Sequence, residues 1–397
     1  MVPSRSLSSI LALPALAFLS LSASALPHPR TASSTAALKL AVRINSHGTK
    51  NIAAADRARI QALQAGGSSS VDATNAVAMY TADIGVGSPA TTLVLDTGSS
   101  FTWIGANKTY KQTTTSHDTG NQFWSVTYGD GIYATGEEYT DTVTLNPDLI
   151  ISDQSIGVAS SHSYLDGTDG VLGLGPVDLT VGIVSNGNEV ATVMDNLYTQ
   201  KIISSEVVLG VFFAPASSDD SGGELTFGGY DASKITGDIS YVPITSIYPA
   251  SMYWGIDQSI SYGSTSILAE TAGVVDTGST FISIATDAFD KYQSATGATL
   301  DESTGLLQIS PDQYNQLSSL YFTTGGVTYE LTPNGQIWPR SLNTAIGGTT
   351  DAIYLVISST DTPLVLAWIF ERFYSVYDTT NSRVGFATTE YTHAMTN

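Results

Sequence analysis

The sequence predicts a mainly β fold arranged as two similar lobes, and three observations carry that expectation. Short runs rich in Val, Ile, Thr and Tyr, parted by Gly, Asp and Asn, fill the chain beyond residue 70, as expected of many short strands. Helical periodicity is confined to a few brief stretches, which places small helices on the outside of the sheets. Finally, Val94-Leu95-Asp96-Thr97-Gly98-Ser99-Ser100 recurs 180 residues later as Val274-Val275-Asp276-Thr277-Gly278-Ser279-Thr280. A repeat of so long a period indicates related lobes and not a solenoid. At 397 residues the chain also exceeds one ordinary domain.

From the amino terminus, Arg5 gives a positive start, Ile10 to Leu21 an apolar run, and Ala23-Ser24-Ala25 a small-residue cleavage signal. That pattern predicts a secretory signal peptide over 1–25. Residues 26–70 read as a basic propeptide ending in a Gly/Ser hinge, Gly66 to Ser70, suited to proteolytic removal. The N-terminal lobe is placed at 71–245 and the C-terminal lobe at 246–397. Strands are expected at Ala78–Ile84, Thr142–Leu145, Glu206–Phe213 and Val327–Leu331, and helices at Thr192–Gln200, Ala285–Thr296 and Pro311–Ser318. The chain has no cysteine, so an exported core must hold without disulfides. The expected destination is extracellular, with the vacuole as the alternative, and a monomer is expected. No apolar run after the signal is long enough to span a membrane, and Glu390 to Asn397 lacks the tail of a lipid anchor.

Charge divides the chain. Between Leu26 and Ala65 six basic residues (Arg30, Lys39, Arg43, Lys50, Arg57 and Arg59) face one acid, Asp56. From Gly66 onward eight basic residues stand against 35 acidic ones, a formal charge of −27. A basic leader on an acidic body predicts a propeptide held by electrostatic complementarity and loosened when acid protonates the carboxylates. The same leader read plainly is a solvated linker. So few cations in the body argue against a nucleic-acid partner.

The repeated turn carries the chemistry. A carboxylate at the end of a buried strand needs donors. Gly98 and Gly278 let backbone amides approach Asp96 and Asp276, while Ser99 and Ser279 offer hydroxyls. Thr97 and Thr277 are short donors able to bond across to the opposite lobe. If the lobes pair about a twofold axis, the two carboxylates meet. About 3 Å apart, they share a proton because both cannot ionise. One then serves as general base on a water while the other protonates a substrate carbonyl, with no covalent intermediate. A single Asp-Thr-Gly is an ordinary turn; two copies with matching apolar and hydroxyl flanks are not.

With these turns the chain resembles the pepsin-like aspartic proteases, most closely the fungal polyporopepsin-like branch, over essentially everything after the hinge. The resemblance rests on Asp96 through Trp103-Ile104, on Val126-Thr127-Tyr128-Gly129-Asp130-Gly131, and on Asp169 through Gly175. It continues through Leu225 to Gly229, Tyr253-Trp254-Gly255 and Glu371 to Tyr377. It implies a bilobal, pseudo-twofold fold with a central cleft, and a secreted endopeptidase made as a zymogen, with polypeptide substrates and the propeptide as intramolecular inhibitor. Asp96 and Asp276 then correspond to the catalytic pair. Tyr128 corresponds to a flap tyrosine supported by Trp103, Gly129 and Asp130 to flap positions that bond substrate backbone, and Val94 and Val171 to pocket walls. Leu38 to Arg43 resembles the first strand of the family's propeptides.

Two positions depart from the family. Val365-Leu366-Ala367-Trp368 has Ala where the first-lobe copy, Val171-Leu172-Gly173, has Gly, and the segment from Pro89 to Asp96 is two residues short. The former motivates an alternative reading, a catalytically impaired pepsin-like binding or inhibitor-type protein. A two-carboxylate glycoside hydrolase explains two acids but not two matched turns. No His-Glu-x-x-His is present, and His117, His162 and His393 read as surface residues, so no metal and no cofactor are expected. Asn107-Lys108-Thr109 makes Asn107 a glycosylation candidate.

Overall fold

The computed structural model describes residues 36–44, 53–54, 57, 60–61, 78–87, 90–121, 123–127, 133–163, 165, 167–203, 206–217, 222–361, 365–366 and 371–396. The signal peptide, the Gly66–Ser70 hinge, Pro89, Tyr128, Gly129, Asp130, Ala367 and Trp368 lie outside the described residues. The chain divides into Met1–Ala32 and Ser33–Asn397, and every described residue belongs to the second unit.

The fold is mainly β, and among the described residues three sheets carry it. The largest, of 14 strands, starts at Ser240–Pro243 and passes through Arg383–Thr388, Phe373–Asp378, Val208–Phe213 and Gly222–Phe227 to the leader strand Ala36–Ile44. It continues through Ala78–Val86, Ala90–Asp96, Gly170–Gly173, Trp103–Ile104, Leu149–His162 and Tyr133–Asn146 to His117–Asp118, with Trp124–Thr127 paired to Tyr133–Asn146. A sheet of seven strands is centred on Gly255–Tyr262, Thr265–Val274, Val365–Leu366 and Ile282–Ala285, and a separate three-stranded sheet packs against its edge strand Ile357–Thr360.

The two Asp-bearing strands are wired alike. Ala90–Asp96 runs parallel to Gly170–Gly173, which pairs antiparallel with Trp103–Ile104 beyond the turn. Thr265–Val274 runs parallel to Val365–Leu366, which pairs antiparallel with Ile282–Ala285 beyond the second turn. In each half the strand after the turn then gains a parallel neighbour, Leu149–His162 or Ile357–Thr360. A buried parallel arrangement of this kind needs near-continuous apolar sequence, which Leu93-Val94-Leu95 and Val274-Val275 supply.

The strand expectations hold in place, with Thr142–Leu145 forming the end of a longer strand, Tyr133–Asn146, and the strand expected at Glu206–Phe213 beginning only at Val208. The helix Val193–Thr199 is opened by a capping box between Thr192 and Asp195. Pro311–Ser318 is shorter than expected. Ser310 and Gln313 cap one turn, Pro311–Tyr314, after which tighter bonds from Gln316 to Gln313 and from Leu317 to Tyr314 turn Leu317 into the core.

Close packing under the first turn requires glycine at position 173. A Cβ there would lie 2.4 Å from the backbone carbon of Ser100. Gly173→Ala is therefore expected to destabilise the protein by about 1–3 kcal/mol through overpacking, measured by urea unfolding. An unchanged midpoint would mean the strand and turn can separate freely.

Candidate active site

Burial rises along Ala90–Asp96 from an exposed first residue to four consecutive buried ones, so Asp96 is delivered to the interior, 2% exposed. Asp276 is fully buried two residues beyond the corresponding strand, Thr265–Val274. Neither carboxylate is left to itself. The Gly98 amide donates to Asp96 Oδ1 at 2.9 Å and Ser99 Oγ to Oδ2 at 2.5 Å. Gly278 donates to Asp276 Oδ1 at 2.9 Å and Ser279 Oγ to Oδ2 at 2.7 Å. The two turns offer the same donors to the same oxygens.

The turns are also locked to each other. Thr97 N donates to Thr277 Oγ1 at 3.0 Å, and Thr277 N donates to Thr97 Oγ1 at 2.9 Å. Each hydroxyl then donates onward across the junction, Thr97 to the Val275 carbonyl and Thr277 to the Leu95 carbonyl, both at 3.1 Å. Four crossing bonds thus flank the two carboxylates, each of which sits one residue ahead of a crossing threonine.

Trp124–Thr127 and Tyr133–Asn146 form a hairpin beside this junction, with Thr127 opposite Tyr133. Tyr128, Gly129 and Asp130, which follow Thr127 in sequence, lie outside the described residues. At the base of the hairpin Trp103 and Trp124 meet at a tilt of 38° with ring centres 5.9 Å apart, in an apolar cluster that also holds Val94, Val171, Phe101 and Leu165. Asn107 is exposed, and its Nδ2 donates to the Leu165 and Thr168 carbonyls.

Sequence reasoning assigned no role to several residues around the site. Tyr377 is buried beside it, and burial, reinforced by the charge of Asp276, pushes its phenol upward against the opposing pull of the Ser375 and Thr97 hydroxyls. Trp254 packs edge-on against Tyr377. Both lie in quoted motifs, Tyr253-Trp254-Gly255 and Glu371 to Tyr377, but nothing local marks them as neighbours of the turns. On the hairpin strand, buried Asp141 accepts from Tyr110 at 2.7 Å, Thr115 at 2.6 Å, Ser116 at 2.9 Å and the Thr142 amide at 2.7 Å. Burial alone would raise this carboxyl, but the Thr115, Tyr110 and Ser116 hydroxyls and the Thr142 amide outweigh it and hold it below the ordinary range.

A model of the eukaryotic aspartyl protease family matches residues 79–389. Polyporopepsin of Irpex lacteus is 56% identical over 341 residues, which cover 83% of this chain and 99% of that protein. The crystal structure of aspartic proteinase from Irpex lacteus matches with a TM-score of 0.78 at 49% identity, covering 92% of this chain and 100% of the other. Rhizopuspepsin-1 of Rhizopus niveus is 33% identical over 294 residues, covering 70% of this chain and 72% of its own.

The Asp141 cluster yields a pH-dependent stability. Its folded carboxyl is depressed, so its contribution is present above the unfolded value, about 3.9, and lost as pH falls through the lower folded value. Asp141→Asn is expected to lower Tm at pH 5–6, with the gap to wild type closing in stronger acid, as measured by thermal melts across pH. A gap that stays constant with pH would show that ionisation of Asp141 contributes nothing.

Proposed function

Because the chain belongs to the eukaryotic aspartyl protease family and is a pepsin-like aspartic endopeptidase, we propose that Asp96 and Asp276 are its catalytic pair, acting in acid on polypeptides. The observation that carries this reading is the matched pair of buried Asp-Thr-Gly turns tied by the Thr97–Thr277 crossing. Two carboxylates held at one junction titrate as a unit and retain one proton between them over an acidic range. The ionised member takes a proton from water as the water attacks the scissile carbonyl, and the protonated member donates to that carbonyl oxygen. Fixed donors from Gly98, Ser99, Gly278 and Ser279 keep the carboxylates oriented with little reorganisation. Tyr128, Gly129 and Asp130 act as the flap that closes over an extended peptide, Trp103 supports it, and Val94 and Val171 line a side-chain pocket.

The protein is exported as a zymogen. What supports this, besides the signal-like terminus, is how the leader contacts the body. Its strand Ala36–Ile44 is inserted between Ala78–Val86 and Gly222–Phe227, and Lys39 pairs with the buried Glu224 carboxylate. Residues 53, 54, 57, 60 and 61 are helical, and spacing puts 53, 57 and 60 on one face. Ala53 and Ile60 are fully buried, Ala53 in a cluster with Phe281, Trp338 and Tyr354, and Ile60 in one with Ala250, Tyr253, Ala272 and Val274. Val274 and Phe281 stand on either side of the second turn, so the leader brackets Asp276. This ion pair adds a specific contact to the hold of the basic leader on the acidic body.

Acidification of the proprotein, with cleavage of a denatured protein followed in the presence and absence of pepstatin, tests the proposal. Asp96→Asn and Asp276→Asn are each expected to lower kcat by at least about 100-fold; proteolysis at the wild-type rate in either variant defeats the assignment. Ile60→Asp places a charge in an apolar site and is expected to give pepstatin-sensitive activity before the leader is removed. Latency equal to wild type in that variant would remove Ile60 from the inhibitory contact.

A further inference from the structure

Beneath the two turns a closed circuit of hydrogen bonds passes through two residues that belong to neither, Leu174 and Trp254. Starting from Asp96, its carbonyl accepts from Leu174 N at 2.8 Å. The Leu174 carbonyl accepts from Trp254 Nε1 at 3.1 Å. The Trp254 carbonyl accepts from Val275 N at 2.9 Å. The circuit closes where the Val275 carbonyl accepts from Thr97 Oγ1 at 3.1 Å, one residue from its start. Trp254 therefore touches the support of Asp96 with its side chain and the strand entering Asp276 with its backbone.

The ring itself is held in place. Trp254 is 4% exposed, and Tyr377, 1% exposed, meets it edge to face with ring centres 5.2 Å apart. The Tyr377 hydroxyl accepts from Ser375 Oγ at 3.4 Å, and Thr97 and Asp276 are the other polar groups acting on it. An indole wedged in this way has little freedom to rotate its N–H off the Leu174 carbonyl, and that carbonyl is buried and has no solvent to replace the donor.

We propose that Trp254 is a positioning residue for peptide hydrolysis: its indole N–H fixes the strand beside Asp96 while its carbonyl fixes the strand entering Asp276, so one residue sets the spacing of the two carboxylates. The inference rests on the Asp96/Asp276 reading. It differs from a packing role in what it predicts. Carboxylate spacing affects the step in which water attacks and the carbonyl is protonated, whereas peptide binding is governed by the cleft walls and flap. Loss of the indole donor should therefore lower kcat and leave KM nearly unchanged, since small misplacements of reacting groups carry large rate penalties.

The test uses activated full-length protein carrying Trp254→Phe, which keeps an aromatic ring and the backbone bond to Val275 but removes the N–H, and Trp254→His, which restores a ring donor. Active sites are counted by pepstatin titration, and kcat, KM and Tm are measured per titrated site with a peptide substrate. The expected result is a fall in kcat of about tenfold or more for the Phe variant, with KM within about twofold, and partial recovery of kcat for the His variant. A wild-type kcat per site in Trp254→Phe, or losses in both variants confined to Tm and the number of titratable sites, would overturn the proposal. Asp96→Asn is measured alongside. If it remains active, the catalytic assignment itself fails; if it is inactive while Trp254→Phe keeps its kcat, only the positioning role fails.

Discussion

The crossing of Thr97 and Thr277 is the constraint on which the rest of the site depends. Each threonine uses its amide and its hydroxyl across the junction, and each hydroxyl both accepts and donates. A typical hydrogen bond adds only about 1 kcal/mol net, but a buried donor or acceptor left unpaired costs about 1–3 kcal/mol. Sliding one turn against the other would orphan several such groups at once, in a region closed to water. The penalty for displacement is thus steeper than the gain from assembly, which is what a junction holding two buried carboxylates requires. Asp96 and Asp276 are tolerable in the interior because glycine amides and serine hydroxyls meet them there, and the threonines keep those donors in register.

The halves are wired alike but serve different neighbours. The first turn sits against the hairpin base and the Trp103–Trp124 cluster, with Val94 and Val171 in the same apolar group. The second sits against the leader, through Val274 with Ile60 and through Phe281 with Ala53. The residue two places before each Asp is a valine in both copies, so equivalent positions face the hairpin on one side and the leader on the other.

How much of this was legible in the sequence follows from the range of each contact. The turns could be read because a buried carboxylate needs donors within two or three residues, and Gly98, Ser99, Gly278 and Ser279 are local. The mainly β class could be read because alternation and turn residues are local too. The helix at Pro311 was overextended, since its apolar spacing continues to Leu317 while the core draws that residue in by tighter turns. Trp254 stayed silent because its bond to Leu174 spans 80 residues and neither residue carries charge or repeats. Ile60 was equally hidden, being one apolar residue in a leader whose obvious feature was its charge. Asp141 looked like any strand carboxylate, and the hydroxyls that hold it come from a loop about 25 to 31 residues earlier.

The shortage of cations has a structural counterpart. In a body with 35 acids and eight bases, hydroxyls and amides hold most of the carboxylates whose partners are described. Asp141 is held by Tyr110, Thr115 and Ser116, Glu138 by Thr119, Asn121 and Ser155, and Asp301 by Ser303 and Thr304. The difference from a salt bridge appears in acid. When a carboxylate paired with a buried cation takes a proton, the cation is left unpaired in a medium that solvates it poorly. A hydroxyl has no such liability, because it can rotate and accept from the new carboxylic acid. Ser99 and Ser279 have that same capacity, so the proposed pair can exchange its shared proton without leaving either serine unsatisfied. The proposed pair and the carboxylates of the surrounding scaffold are thus held by the same kind of bond.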